Sequence, residues 1–284
     1  MSARHNNALV WDAHACLPLS PQADLSALAR HRAAGVDYVS INVGMDMNPL
    51  TQVMATLESF RAQAKARPDL FTLVATVADI ESAKDSGKLA LGFDLEGGLP
   101  LGGKPEMVAR FGALGVRQIH LAYNRNNALC GGCYDTPMPL TKIGREMVAA
   151  INAAGILMDC SHTGERSAFD IIEHSSAPVV FSHSNPRALC ADKRNIADAL
   201  IDACAKSGGV VCANGVGRFL GDAQAGTPSI LRAIDYLVAR IGPQHVGIGL
   251  DYSYNQGIDD DPPGLDKNYW WPREEGYANG INIR

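Results

Sequence analysis

The sequence predicts a single (β/α)8 barrel of the TIM type spanning residues 1–284, and three observations carry that reading. Eight short β-branched or apolar runs alternate with helical stretches along the whole chain. Small-residue turns ending in glycine recur where a helix should stop and the next strand begin. With 46% hydrophobic and 19% charged residues in 284, the chain can bury one large core. Composition alone would also allow two smaller domains; the unbroken alternation favours one.

Taken in order, Leu9–Asp12 is the first strand and Leu25–Ala34 the first helix, closed at Gly35. Tyr38–Val43 follows as the second strand, and Leu89–Leu95 is the third. Thr72–Val77 reads as a ninth strand placed off the barrel. Val116–Leu121 comes directly after Ala-Leu-Gly115, and the helix Ile143–Ala154 ends at Gly155 before the strand Ile156–Ser161. A helix over Thr163–Ala177 leads to Val179–Ser182. Another over Ala197–Lys206 stops at Gly208 before Gly209–Ala213, and Ser229–Ile241 precedes the last strand, Val246–Leu250. No heptad, solenoid period or low-complexity segment interrupts this order.

Several function classes start at a disadvantage. The net charge of −5, with Lys and Arg scattered, leaves no electrostatic footprint for nucleic acid. Met1–Leu9 is polar and has no basic region followed by an apolar stretch, and no run is long enough to span a bilayer. A cytoplasmic protein with no membrane partner is expected. Seven cysteines spread over this length, some inside apparent strands (Cys160, Cys212), read as reduced core thiols.

His162 and His183 close near-duplicate apolar runs, Ile156-Leu-Met-Asp-Cys-Ser-His162 and Pro178-Val-Val-Phe-Ser-His183. With a helix between them, strand, helix and strand place both imidazoles at the same edge of a parallel sheet. Loops after the strands form the active face of such barrels, so polar residues there are candidates for chemistry. They are Asp12, His14, Glu96, Tyr123, His162, His183 and Asp251. Three imidazoles and a carboxylate on one face suit zinc and related divalent ions.

The stretches Asp12-Ala-His14-Ala-Cys16-Leu-Pro18, Leu95-Glu96-Gly-Gly98, Asp159-Cys-Ser-His162, Ser182-His183-Ser-Asn185, Arg187-Ala-Leu-Cys190, Lys193-Arg194-Asn195 and Gly247-Ile-Gly-Leu-Asp251 carry a resemblance. Their order and spacing, from about Leu9 to Asn255, resemble the membrane (renal) dipeptidase family of zinc peptidases within the amidohydrolase-like barrels. That resemblance implies a two-zinc centre bridged by Glu96, with His162 and His183 holding one metal and His14 the other. It also implies hydrolysis of a dipeptide, or a dipeptide-like amide, by a metal-bound hydroxide, with tolerance for a D-residue at the C-terminal position. Arg194 matches the position that grips the substrate carboxylate, and Asp251 matches the acid/base position. Asp159, and with it Asp12, are expected to orient an imidazole rather than bind metal.

The chain departs from the family pattern in three places. Cys16 stands where the family has an aspartate ligand, so the site holds two metals if the thiolate binds and one if it does not. Tyr123 stands where a histidine contacts substrate; a phenol can still donate to an oxyanion but carries no positive charge. After the eighth strand only Asp259–Gly264, Tyr269–Pro272 and Gly276–Arg284 follow, where the family continues into covering helices. The chain then reads as truncated relative to the family, or as covered by a second copy in a homodimer; Trp270 and Trp271 could line the pocket or serve packing. Cys130-Gly-Gly-Cys133 has CxxC spacing without a second ligand pair nearby, and reads as a loop feature over the site. The alternatives to a two-zinc dipeptidase are a mononuclear amidohydrolase using Glu96, His162 and His183 on a non-peptide amide, and a catalytically silent barrel that binds a ligand.

Overall fold

A computed structural model describes residues 8–277. Its strands are β1 (Trp11–Cys16), β2 (Tyr38–Met45), β3 (Phe71–Leu73), β4 (Leu89–Glu96), β5 (Val116–His120), β6 (Leu157–Asp159), β7 (Val179–Phe181), β8 (Val210–Ala213), β9 (Val246–Ile248) and β10 (Tyr252–Ser253). Eight of them close a parallel barrel in the order β1-β2-β4-β5-β6-β7-β8-β9, with β9 returning to β1 through Asp12 and Ile248. The expected barrel is present, with helices between its strands.

The boundaries differ in instructive ways. The first strand runs through His14 to Cys16 instead of stopping at Asp12, because the barrel interior there is polar and accepts both side chains. β3 does lie off the barrel: it pairs with the first half of β4 (Phe71 with Leu89, Leu73 with Leu91), and β5 takes over at Phe93. That strand is shorter than expected. Thr76 is a helix N-cap whose hydroxyl accepts from the Asp79 backbone N–H while Asp79 accepts from the Thr76 N–H, so the chain turns helical at Val77.

The helices pack one face onto the strands. In Leu50–Ala66, Val53, Leu57, Phe60 and Ala64 are buried at helical spacing. Each of the larger side chains contributes about 1.5–3 kcal/mol on burial. The glycines expected to end helices do so in the left-handed region, Gly35 at φ 87°, Gly115 at 98°, Gly155 at 65° and Gly208 at 85°.

Beyond β9 the chain crosses the C-terminal ends of the strands. β10 extends β1 through Ala15 and Tyr252. Asp260 accepts from the Leu19 backbone N–H at 2.5 Å, and Gln52 donates to the Asp260 carbonyl at 2.8 Å. A short helix, Lys267–Trp270, then brings Trp271 to the barrel mouth. Among the described residues, no helix is long and apolar enough to cross a membrane.

Candidate active site

The donors converge on Glu96, the last residue of β4. Its Oε1 lies 3.2 Å from His14 Nε2 and its Oε2 lies 2.9 Å from His162 Nε2 and 3.7 Å from His183 Nε2. Cys16 completes the first group, its Sγ 3.4 Å from His14 Nε2 and 3.9 Å from Glu96 Oε1. One carboxylate thus turns one oxygen to each of two donor groups, His14/Cys16 and His162/His183, whose ligand atoms fall within 4.8 Å of one another in each set. Gly97 makes this possible: at φ 145° a Cβ there would lie 2.2 Å from Asp46 Oδ1.

An oxygen faces the far side of each imidazole, as a hydrogen-bond partner for His162 and His183 and as a charge contact for His14. Asp94 Oδ1 lies 3.3 Å from His14 Nδ1, Asn124 Oδ1 2.7 Å from His162 Nδ1, and Ser182 Oγ 2.7 Å from His183 Nδ1. At His162 and His183 an acceptor at Nδ1 keeps the proton there and turns the Nε2 lone pair toward the cluster. His162 Nε2 and His183 Nε2 consequently face each other at 2.9 Å. Two lone pairs aimed at one point repel unless a cation lies between them, so the donor set fits a divalent metal.

The electrostatics split the two donor groups: His162, His183 and Glu96 favour their ligand forms, whereas His14 and Cys16 hold their protons. Burial drives His162 down to about 3, with Arg194 adding to the effect, and drives His183 well below its ordinary value. Burial works against the Glu96 carboxylate, but His14 and His162 hold it well below the usual carboxylate range. Burial also opposes the charged form of His14, yet the Asp94 and Glu96 carboxylates raise it well above its ordinary value. Cys16 also keeps its proton, since burial pushes its thiol up to about 12.

These groups open into a cavity of about 420 Å³ lined by Cys16, Glu96, Tyr123, His162, Arg194 and Asp251, among others. The Arg194 guanidinium is buried, 3.2 Å from His162 Nε2, 3.3 Å from the His183 carbonyl and 5.3 Å from the Phe219 ring centroid. Asp251, at φ 57°, donates its backbone N–H to the His14 carbonyl at 3.0 Å and accepts from Asn214 Nδ2 at 3.0 Å. Burial raises its carboxyl to about 6. Tyr123 stacks on the His162 ring at 4.3 Å.

Two expected orienting residues act on other partners. Asp12 faces away from the cluster, with Oδ2 3.2 Å from His31 Nε2 and Oδ1 accepting from the Leu250 N–H at 2.9 Å. It ties the first strand to the last, and its one link to His14 is a 3.4 Å bond from the backbone N–H. Asp159 lies 2.7 Å from Nε2 of His120, a buried histidine outside both donor groups. Its Oδ1 accepts the N–H groups of Ser161 (2.9 Å) and Ser182 (3.2 Å), the residues just before His162 and His183, so it fixes both ligand loops through the backbone. Cys130 and Cys133 are free thiols in a loop whose Cys133 N–H donates to the His162 carbonyl at 3.0 Å; they brace the site and join neither donor group.

Sequence reasoning missed Asn42, which donates to Glu96 Oε1, and Asp94, Asn124 and Asn214. For Asp94 a signal existed: two residues before Glu96 on one strand, it shares the inward face.

Fold and site together define a (β/α)8 barrel whose C-terminal face carries a carboxylate-centred imidazole cluster compatible with metal binding. The family described as membrane dipeptidase (Peptidase family M19) matches residues 6–272, and the chain belongs to that family. An uncharacterized protein of Klebsiella pneumoniae, encoded in the pqqA 5′ region, is 33% identical over 74% of this chain and 80% of its own length. An uncharacterized dipeptidase of Schizosaccharomyces pombe is 30% identical over 77% of this chain, which spans only 55% of that relative. Among solved structures, an amidohydrolase from Pseudomonas aeruginosa superposes with a TM-score of 0.83 at 27% identity, covering 96% of this chain and 81% of that one.

Proposed function

We propose that this chain hydrolyses a dipeptide or a closely related small amide with the help of divalent metal, zinc by the nature of its donors. The observation that carries the reading is the division of Glu96 between His14 and His162, at 3.2 and 2.9 Å. Metal held there would lower the pKa of water and polarise the scissile carbonyl. Arg194 receives the substrate's terminal carboxylate, a task suited to a guanidinium buried in the cavity wall. Asp251, oriented by Asn214, moves a proton toward the leaving amine. A cytoplasmic setting belongs to the same reading, since all seven cysteines are free.

A second reading puts metal only at Glu96, His162 and His183. It is supported by the Cys16 thiol, which burial holds at about 12 and therefore neutral until a cation displaces its proton. Elemental analysis before and after zinc reconstitution separates the two, with two ions per chain expected for the first and one for the second. Hydrolysis of a panel of L,L- and L,D-dipeptides by the reconstituted protein tests the activity; no turnover by a fully loaded chain sinks it.

A further inference from the structure

The stretch Tyr269–Trp271 docks on the loop after β5, which carries Tyr123 and Asn124. Trp271 Nε1–H donates to the Tyr123 hydroxyl at 2.9 Å, Asn124 Nδ2 donates to the Trp270 carbonyl at 3.0 Å, and Arg125 Nε donates to the Tyr269 carbonyl. The Arg125 guanidinium also lies 4.8 Å from the Tyr269 ring centroid.

These bonds set polarity as well as position. An indole N–H can only donate, so Tyr123 accepts from Trp271 and keeps its own single proton for another partner. The phenol cannot turn away, because its ring is stacked on His162 at 4.3 Å and its backbone N–H is held by Asp46 at 2.9 Å. Both Tyr123 and Trp271 line the cavity that contains Glu96 and Arg194. Asn124 follows the same logic: with Nδ2 committed to Trp270, Oδ1 is the atom left for His162 Nδ1.

We infer that Trp271 is a positioning residue whose indole N–H fixes the Tyr123 hydroxyl as a hydrogen-bond donor to the oxygen of the scissile carbonyl. A segment beyond the last barrel strand thereby completes the site. The inference rests on the dipeptidase reading. It assigns to the Tyr123–Trp271 pair the neutral donor that supports charge developing on that oxygen.

The test is a double-mutant cycle of Trp271→Phe, Tyr123→Phe and the pair, on the full chain loaded with zinc, with steady-state dipeptide hydrolysis as the readout. Loss of the phenol donor is expected to lower kcat about 100-fold with KM changed less than about threefold, the pattern of a contact made in the transition state. Trp271→Phe is expected to lower kcat by about tenfold alone and by nothing further in the Tyr123→Phe background. Replacing Trp271 with 3-benzothienylalanine, which swaps only the N–H for sulfur, should reproduce the single-variant loss and serves if the phenylalanine variant does not fold. An undiminished Trp271 effect in the absence of the Tyr123 hydroxyl overturns the inference and leaves the dipeptidase reading standing. A zinc-loaded wild type that cleaves no dipeptide overturns both.

Discussion

The thiol sulfur of Cys16 lies 3.4 Å from Nε2 of His14, two positions earlier on the same strand. Residues two apart on a strand share a face, so both reach toward the Glu96 oxygen that His162 does not use. If the sulfur binds metal, the cobalt-substituted protein will show an intense near-ultraviolet sulfur-to-cobalt charge-transfer band. Cys16→Ser should lose that band and Cys16→Asp should lack it while retaining two ions per chain. Because a thiolate donates more charge than a carboxylate, Cys16→Asp is also expected to raise kcat by about tenfold, or ~1.4 kcal/mol of barrier. Identical cobalt spectra for wild type and Cys16→Ser would remove the sulfur from the ligand set.

Arg194→Lys preserves charge but loses the planar fork. KM for dipeptides should rise about 10- to 100-fold with kcat nearly constant, since the lost contact is made equally in the bound substrate and the transition state. A drop confined to kcat would instead place Arg194 at the reacting centre.

Asp251 is the carboxylate best placed to move a proton beside the cluster, 3.7 Å from His14 Nε2 and held by Asn214. Asp251→Asn keeps the shape and one acceptor, and should cut kcat about 10²- to 10⁴-fold without changing zinc content. Near-normal turnover in the variant would transfer the proton role elsewhere.

Asp46 supplies a pH signature separate from the donor cluster. It accepts from the N–H groups of Leu99 and Tyr123 and from Asn127 Nδ2, each at 2.9 Å, yet burial outweighs these bonds and raises its carboxyl from 3.8 to about 6. A raised acid favours the fold while it is protonated, so its contribution is fully present below 3.8 and is lost as pH rises through about 6. The interval corresponds to about 3 kcal/mol. Chemical denaturation of metal-free protein should therefore show the stability of wild type relative to Asp46→Asn declining by roughly that amount between pH 3.5 and 7. A difference that stays flat across this range would contradict the burial argument.

How far the sequence discloses the site depends on which geometry each residue obeys. His162 and His183 were legible because strand, helix and strand return the chain to the same edge, and Glu96 and Asp251 because they follow apolar runs. Asp12 reads as lying beside the cluster because the first apolar run ends there, whereas the strand continues to Cys16. The β1–β2 register shifts between Asp12 and Ala15, which turns Asp12 outward to His31 while His14 faces in. Asn42 and Asp94 lie inside strands that read as apolar; the two-residue spacing to Glu96 marks Asp94 as inward, whereas for Asn42 only the buried partner reveals why polarity is tolerated. Asn124 adopts φ 62°, a conformation that asparagine accepts more readily than most residues, but without the structure that tolerance points to a turn and not to His162. Trp271 left no periodic trace, since Tyr269–Trp271 is fixed by individual hydrogen bonds and not by a repeating apolar face.

The seam between the first and last barrel strands also governs when a competent protein can exist. Asp12 bonds to Leu250 across 238 positions of sequence, and the Asp251 N–H reaches back to the carbonyl of His14. During synthesis the open edge of β1 must wait until the strand Val246–Ile248 has emerged, a long-range pairing of the kind that slows folding and leaves a strand edge exposed to aggregation. His14 and Cys16 sit on that waiting strand, so under the two-metal reading metal capture at their half of the centre would belong to the end of folding. Chains that stall on the ribosome before residue 246 should be substrates for chaperones, not partly loaded enzymes.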